Sequence, residues 1–153
     1  MGNEIAVPNI RRSLHIRIEN YDGLQGYKSL NPNNQDIFVM KKRLTEIGYE
    51  PAEMWKDTTW FQPPFYDKIM SEINGMLWKT RGGSQGAINP YQVNIIQIQG
   101  HGVMYQKDTL VVVPNHGDDG TVQAKFININ NIAQQFAEEP NTFNIFLVEA
   151  CRV

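Results

Sequence analysis

The chain has 153 residues, which is the length of a single domain with a real hydrophobic core. Its residues are 41% hydrophobic and 20% charged, and the net charge of -2 gives no basic surface that would favour nucleic acid or a membrane. No apolar run approaches the roughly 20 residues that cross a bilayer, and residues 1–8 do not resemble a signal peptide. We therefore expect a cytoplasmic protein, in which the lone Cys151 forms no internal disulfide.

The hydrophobic pattern predicts strands that alternate with helices. Residues 14–18 alternate between apolar and polar side chains, which indicates a strand, and residues 20–34 are rich in Asn, Gly and Asp, which indicates a loop. The spacing of apolar residues predicts a helix over 35–47 that ends at Gly48, whereas residues 50–61 are irregular and leave room for a second strand. The other predicted elements are a helix that begins at prolines 63 and 64, a loop over 80–90, strands over 93–98, 109–113, 122–127 and 143–148, and a short helix over 130–136.

This order of elements favours an α/β fold, in which a mostly parallel sheet carries helices on both faces. The strands at 109–113 and 122–127 are expected to form a hairpin around the polar turn at 115–120. We assign residues 1–12 to an N-terminal extension and residues 13–153 to one domain.

Two residues that can carry covalent chemistry directly follow apolar strands. His101 lies between two glycines after the strand at 93–98, and Cys151 follows the strand at 143–148. In open parallel sheets, ligands bind just beyond the carboxyl ends of the strands. If these two strands are parallel neighbours, a histidine and a nucleophilic cysteine meet at one edge of the sheet.

The motifs Gly100-His101-Gly102 and Glu149-Ala150-Cys151-Arg152, with 50 residues from the histidine to the cysteine, resemble the caspase-like clan of cysteine peptidases. This clan includes caspases, paracaspases and metacaspases. The N-terminal half is similar to the clan's first strand and helix at Asn20, Tyr21, Leu30, Gln35, Asp36, Met40, Leu44 and Ile47-Gly48-Tyr49. The resemblance covers nearly the whole chain, but only the large, dyad-bearing part of the clan's domain. It implies a caspase-like three-layer sandwich that is incomplete at its C-terminus.

The resemblance also implies an activity, namely a cysteine-type endopeptidase that acts on a peptide or protein substrate. Cys151 would be the nucleophile, and His101 would assist thiolate formation or protonate the leaving amine. The backbone N–H groups of Gly102 and Cys151 match the clan's oxyanion hole. No cofactor and no metal is expected.

The sequence departs from the caspase pattern in the residues that select the substrate. Glu149 and Val153 stand where the caspase motif has Gln and Gly, and the caspase arginine of the early loop aligns near Leu30, which cannot pair with a carboxylate. Lys28 is a possible but displaced cation. Paracaspases and metacaspases carry an acid two residues before the cysteine and cleave after Arg or Lys. We therefore hypothesise that Glu149 selects a basic substrate residue; the alternative is that it caps or pairs with a neighbouring group.

The sequence ends two residues after Cys151, whereas the sheet of the clan continues through further strands. The strand at 143–148 is then expected to have an open edge, where a separate small subunit or a second copy can pair. We consider three interpretations. The chain is expected to be one half of a processed enzyme, a truncated product, or a catalytically inactive module for protein–protein interaction. A coincidental match is a further alternative, and it predicts that the strands at 93–98 and 143–148 are not neighbours.

Two other clusters are interpreted without a ligand. His116, Asp118 and Asp119 lack the spacing of metal ligands or of a calcium loop, so we interpret them as solvent-facing turn residues. The glycines at 82, 83 and 86 are not followed by Gly-Lys-Ser/Thr, and they are interpreted as a flexible loop rather than as a phosphate site.

Overall fold

The computed structural model describes residues 10–49, 52–56, 65–83 and 91–152, and for residues 52–56, 65, 151 and 152 it describes the backbone alone. The elements in chain order are β1 (Ile10–Arg17), α1 (Asp36–Glu46), β2 (Ala52–Lys56), α2 (Phe65–Thr80), β3 (Gln92–Tyr105), β4 (Asp108–His116), β5 (Val122–Asn128), α3 (Ile129–Ala137) and β6 (Thr142–Arg152). Within this part of the chain, every helix is too short or too polar to cross a bilayer.

The six strands form one sheet. Five of them follow the order β2-β1-β3-β4-β5, and the sixth, β6, also pairs with β3. The β1–β2, β1–β3 and β3–β6 pairs are parallel, whereas the β3–β4 and β4–β5 pairs are antiparallel. The α/β class is confirmed, but the expectation of a mostly parallel sheet is wrong, because the sheet is mixed. The reason is that β3 continues to Tyr105 and turns back through Gln106, which adopts a positive φ of 55°, into the hairpin of β4 and β5.

The predicted elements are all present, with ends that differ from the prediction. Both central strands are longer than expected, so that His101 lies within β3 and Cys151 within β6, rather than after them. β2 occupies part of the irregular stretch. β1 already begins at Ile10, so residues 10–12 belong to the sheet and not to the predicted extension. The prolines at 63 and 64, residues 1–9 and most of the predicted loop at 80–90 lie outside the described residues.

The two faces of the sheet differ in character. Alternate residues of β1 and β3 pack with α2 and α3 in one large hydrophobic cluster, in which Leu14, Ile96 and Phe136 are fully buried. α1 packs on β1 and β2 from the other face, close enough for Lys41 to act electrostatically on His15. Because side chains alternate along a strand, the residues of β1 and β3 on this second face are polar towards the ends of the strands, namely His15, Arg17, Gln97 and Gln99. It is therefore the face on which polar side chains gather near the carboxyl ends of the strands.

Candidate active site

The site is organised by the pairing of β3 with β6. The two strands run in parallel from Gln92 opposite Thr142 to Gly102 opposite Arg152, and His101 is the register partner of Cys151. Neighbouring strands lie about 4.8 Å apart, so the backbones of these two residues are adjacent. The expectation that the two strands are parallel neighbours is confirmed, whereas the resemblance to the caspase-like clan stays a prediction.

The imidazole of His101 is held in one tautomer. Its Nε2 lies 2.5 Å from the backbone oxygen of Lys28, and a carbonyl oxygen can only accept, so Nε2 carries the proton. The Nδ1 atom is buried and bonds to no described residue. In the neutral ring Nδ1 is therefore the nitrogen with the free lone pair, which is the state that a proton acceptor needs.

Two tyrosines fix the orientation of the same ring. The ring of Tyr21 stands edge-on to that of His101, with centroids 4.5 Å apart and an angle of 77° between the planes. The ring of Tyr27 is 5.4 Å from it. The hydroxyl of Tyr21 accepts the backbone N–H of His101 at 2.8 Å and donates to the backbone oxygen of Val112 at 2.8 Å. Tyr21 thus ties both the ring and the backbone of His101 to β4.

The glycines on either side of His101 are required by close packing. A Cβ on Gly100 would lie 2.8 Å from the hydroxyl oxygen of Tyr21, and a Cβ on Gly102 would lie 2.5 Å from the Cβ of Ala150. Gly102 is buried between β4 and β6, with Val111 and Arg152 as its register partners. The oxyanion-hole role predicted for the N–H groups of Gly102 and Cys151 stays a prediction.

A cavity of about 450 Å³ opens on the polar face of the sheet, beside Gly100 of β3 and Ala150 of β6. The residues that line it are Arg17, Leu30, Asn31, Asn34, Gln99, Gly100, Val148, Glu149 and Ala150. The lining therefore includes Glu149 and Leu30, two of the positions that the sequence singled out. Lys28 does not line the cavity; its side chain is exposed, and its contribution is the carbonyl that holds His101.

Glu149 is an exposed residue whose carboxylate accepts a hydrogen bond from Gln99 Nε2 at 2.6 Å. Within the described part of the chain it forms no ion pair. The cation among the residues that line the cavity is Arg17, but its Nε pairs with Glu19 at 2.8 Å, and the Arg17 side chain is only 4% exposed. The charge of Arg17 is thus offset by Glu19, and Glu149 brings the unpaired negative charge to the cavity.

The other cluster singled out in the sequence serves a turn. Asp119 accepts hydrogen bonds from the backbone N–H and the hydroxyl of Thr121, at 3.0 Å and 2.7 Å, which closes the turn before β5. These two hydrogen bonds from Thr121 lower the pKa of Asp119 below its usual value. Among the described residues, no group of three or more His, Cys, Asp or Glu side chains has the arrangement to hold a metal ion.

Four contributors to the site were not predicted: Tyr21 and Tyr27 around His101, and Arg17 and Gln99 beside Glu149. The tyrosines and the Lys28 carbonyl come from a loop that meets His101 only through the fold. Gln99 did carry a signal, because it is a polar residue two positions before His101 on a strand and therefore lies on the same face.

No known family model matches this chain, and no curated protein matches it either. What the structure defines is an α/β fold with a mixed sheet and a histidine opposite a cysteine beside a cavity that contains a carboxylate. The caspase-like assignment stays a prediction from the motifs around those residues.

Proposed function

We propose that the protein is a cysteine-type endopeptidase that works through His101 and Cys151. The observation that supports this most strongly is the register of β3 and β6, in which these two residues are direct partners. The hydrogen bond from His101 to the Lys28 carbonyl adds to it, because it leaves Nδ1 as the free basic nitrogen. A cysteine nucleophile requires such a base within reach.

In the proposed reaction, Cys151 passes its thiol proton to His101 Nδ1, and the sulfur attacks the carbonyl carbon of the scissile peptide bond. A C–S bond forms, and the carbonyl electron pair moves onto the oxygen. When the intermediate collapses, the C–N bond breaks and the leaving amine takes the proton from His101. A water molecule then gives a proton to His101 and attacks the acyl carbon. The C–S bond breaks, the carboxylic acid product leaves, and the sulfur takes the proton back from His101 to restore the thiol.

The charge that develops on the carbonyl oxygen needs donors that are already in place. We assign this role to the backbone N–H groups of Gly102 and Cys151. Removing one such donor from an enzyme typically costs about 2.7–4 kcal/mol of transition-state stabilisation.

We further propose that the substrate residue before the cleaved bond is Arg or Lys. The cavity has a volume within the range of about 300–1,000 Å³ that is usual for ligand sites. Glu149 brings to it a carboxylate that forms no ion pair with a described residue, whereas Arg17 is already paired with Glu19. A carboxylate recognises guanidinium or ammonium by charge-assisted hydrogen bonds.

A panel of fluorogenic peptides that differ only in the residue before the cleaved bond tests both parts of this proposal. We expect turnover of the Arg and Lys peptides, no turnover of the Asp peptide, and loss of turnover in His101→Ala and Cys151→Ser. His116→Ala is the matched control, because it removes a different histidine and should leave turnover unchanged. Faster cleavage of the Asp peptide, or equal turnover by His101→Ala, would contradict the proposal.

The alternative function is a catalytically inactive module for protein–protein interaction. It is favoured by the outer edge of β6, which pairs with no described strand, and by the exposure of Phe143, which is 64%. An open strand edge accepts a further strand from a separate small subunit or from a second copy of the chain. Sedimentation velocity over a concentration series tests the second copy: a dimer that forms without any peptidase activity supports this alternative.

The proposed setting is the cytosol. The chain contains one cysteine, and a reducing compartment keeps a lone catalytic thiol in its reactive form.

A further inference from the structure

Three residues form a row across the sheet, close to the cysteine and the histidine. Arg17 on β1 is the register partner of Gln99 on β3, and Gln99 is the register partner of Glu149 on β6. The row lies two residues before His101 and Cys151, which corresponds to about 6.5 Å along the strands. A side chain that enters the cavity from a peptide bond at Cys151 would extend towards this row.

The three side chains are joined by hydrogen bonds that can have only one direction. Arg17 Nη1 donates to Gln99 Oε1 at 2.7 Å, and Gln99 Nε2 donates to Glu149 Oε2 at 2.6 Å. A guanidinium only donates and an ionised carboxylate only accepts. The amide of Gln99 therefore cannot flip, because a flip would put its NH₂ against Arg17 and its oxygen against Glu149.

The Arg17 end of this row is fixed, and the Glu149 end is open. Arg17 also donates to Glu19 Oε2 at 2.8 Å and to the backbone oxygen of Asn31 at 2.7 Å. Arg17 and Gln99 are 3% and 2% exposed, whereas Glu149 is exposed at the cavity. One carboxylate oxygen of Glu149 is thus held by a buried, immobile donor, and the carboxylate still faces the cavity.

We infer that Gln99 is a specificity-determining positioning residue, which orients the Glu149 carboxylate to receive a cationic substrate side chain. This inference rests on the proposed function, because it concerns the same substrate residue. Gln99 acts through Glu149 and not on the reacting atoms. Its loss should therefore weaken the binding of a basic side chain and leave the chemical step unchanged.

The test compares Gln99→Met with Gln97→Met. Both substitutions remove a buried amide from β3, but Gln97 bonds to His15 and lies outside the cavity. For an arginine peptide, Gln99→Met should raise KM about tenfold, the effect of losing a hydrogen bond to a charged group, with kcat unchanged. For a matched peptide with norleucine in place of arginine, neither variant should change KM. Gln97→Met should leave both peptides unaffected.

Calorimetric titration with N-acetylarginine amide gives a readout that does not depend on catalysis. Wild type should bind this ligand, and Gln99→Met should bind it about tenfold more weakly. Should the methionine variant fail to fold, Gln99→Asn keeps an amide but is one methylene too short to reach both partners, and the same weakening is expected.

The outcomes separate this inference from the proposed function. If wild type binds the arginine ligand and Gln99→Met weakens that binding, but no peptide is cleaved, the inference holds and the peptidase proposal fails. If wild type cleaves arginine peptides and Gln99→Met has an unchanged KM, or loses kcat equally for both peptides, the inference is overturned. Absence of arginine-ligand binding by wild type overturns it as well.

Discussion

His101 lies directly opposite Cys151 in the register of two parallel neighbouring strands. The pairing is fixed by the same strands' apolar residues, because Ile96 faces Phe146 and Ile98 faces Val148 on the side that packs into the hydrophobic cluster. A slip of one residue would turn that apolar set to the opposite face. The core of the protein therefore determines which residue stands opposite the histidine.

We expect Tyr21→Phe to destabilise the protein. The Tyr21 hydroxyl is buried and bonds to the His101 N–H and to the Val112 oxygen, and both groups would lose their partner. Leaving buried polar groups unsatisfied costs about 1–3 kcal/mol. The free energy of unfolding in urea measures the effect.

Tyr27→Phe is the matched control for this variant, because the Tyr27 ring also contacts His101 but its hydroxyl bonds to no described residue. Its free energy of unfolding should change by less than about 0.5 kcal/mol. An equal loss of stability in the two variants would show that the hydroxyl of Tyr21 does not carry the predicted role.

Gly102→Ala should also destabilise the fold, and Gly75→Ala should not. The new Cβ at position 102 would lie 2.5 Å from the Cβ of Ala150, whereas at Gly75, on α2, it would meet nothing within 4 Å. Overpacking of this kind costs about 1–3 kcal/mol. Alanine in place of a helical glycine gains up to about 1 kcal/mol. Thermal unfolding of both variants checks the prediction, and a gain of stability for Gly102→Ala would contradict the close packing of β3 against β6.

The buried His15 should make stability depend on pH. Burial lowers its pKa below the ordinary value of 6.5, and Lys41 lowers it further, while the hydrogen bond with Gln97 opposes the shift. The unfolded chain therefore binds more protons than the folded chain in the window below pH 6.5, so stability falls as the pH drops through this window towards the lowered pKa.

His15→Gln removes this titration, so the variant should lose less stability than wild type when the pH is lowered from about 8 to about 5. The free energy of unfolding across that range is the measurement. Parallel pH profiles for wild type and His15→Gln would mean that His15 does not contribute the predicted dependence.

Much of the fold follows from local patterns. The alternation of apolar and polar residues in β1 and the apolar runs in β3 and β6 can be recognised in the sequence, because each strand buries one or both faces. The C-terminal end of β3 was harder to predict, because glycines such as Gly100 and Gly102 usually interrupt a strand. Here they are glycines because Tyr21 and Ala150 fill the space that a Cβ would need.

The candidate site was predictable only in part. His101, Cys151 and Glu149 stand out by residue type and position, but Tyr21 meets His101 across 80 positions of sequence and the Lys28 carbonyl meets it across 73. No local pattern encodes such contacts. The row of Arg17, Gln99 and Glu149 likewise depends on the register of three strands, which appears only when the sheet is assembled.

The most direct test of the His101–Cys151 pair is labelling with a peptidyl acyloxymethyl ketone that ends in arginine, followed by mass spectrometry of the intact and digested protein. The chain has a single cysteine, so a thiol adduct identifies Cys151. The peptidase proposal predicts one adduct at Cys151 in wild type and in His116→Ala, and none in His101→Ala. An unlabelled wild type, or equal labelling of His101→Ala, would contradict it.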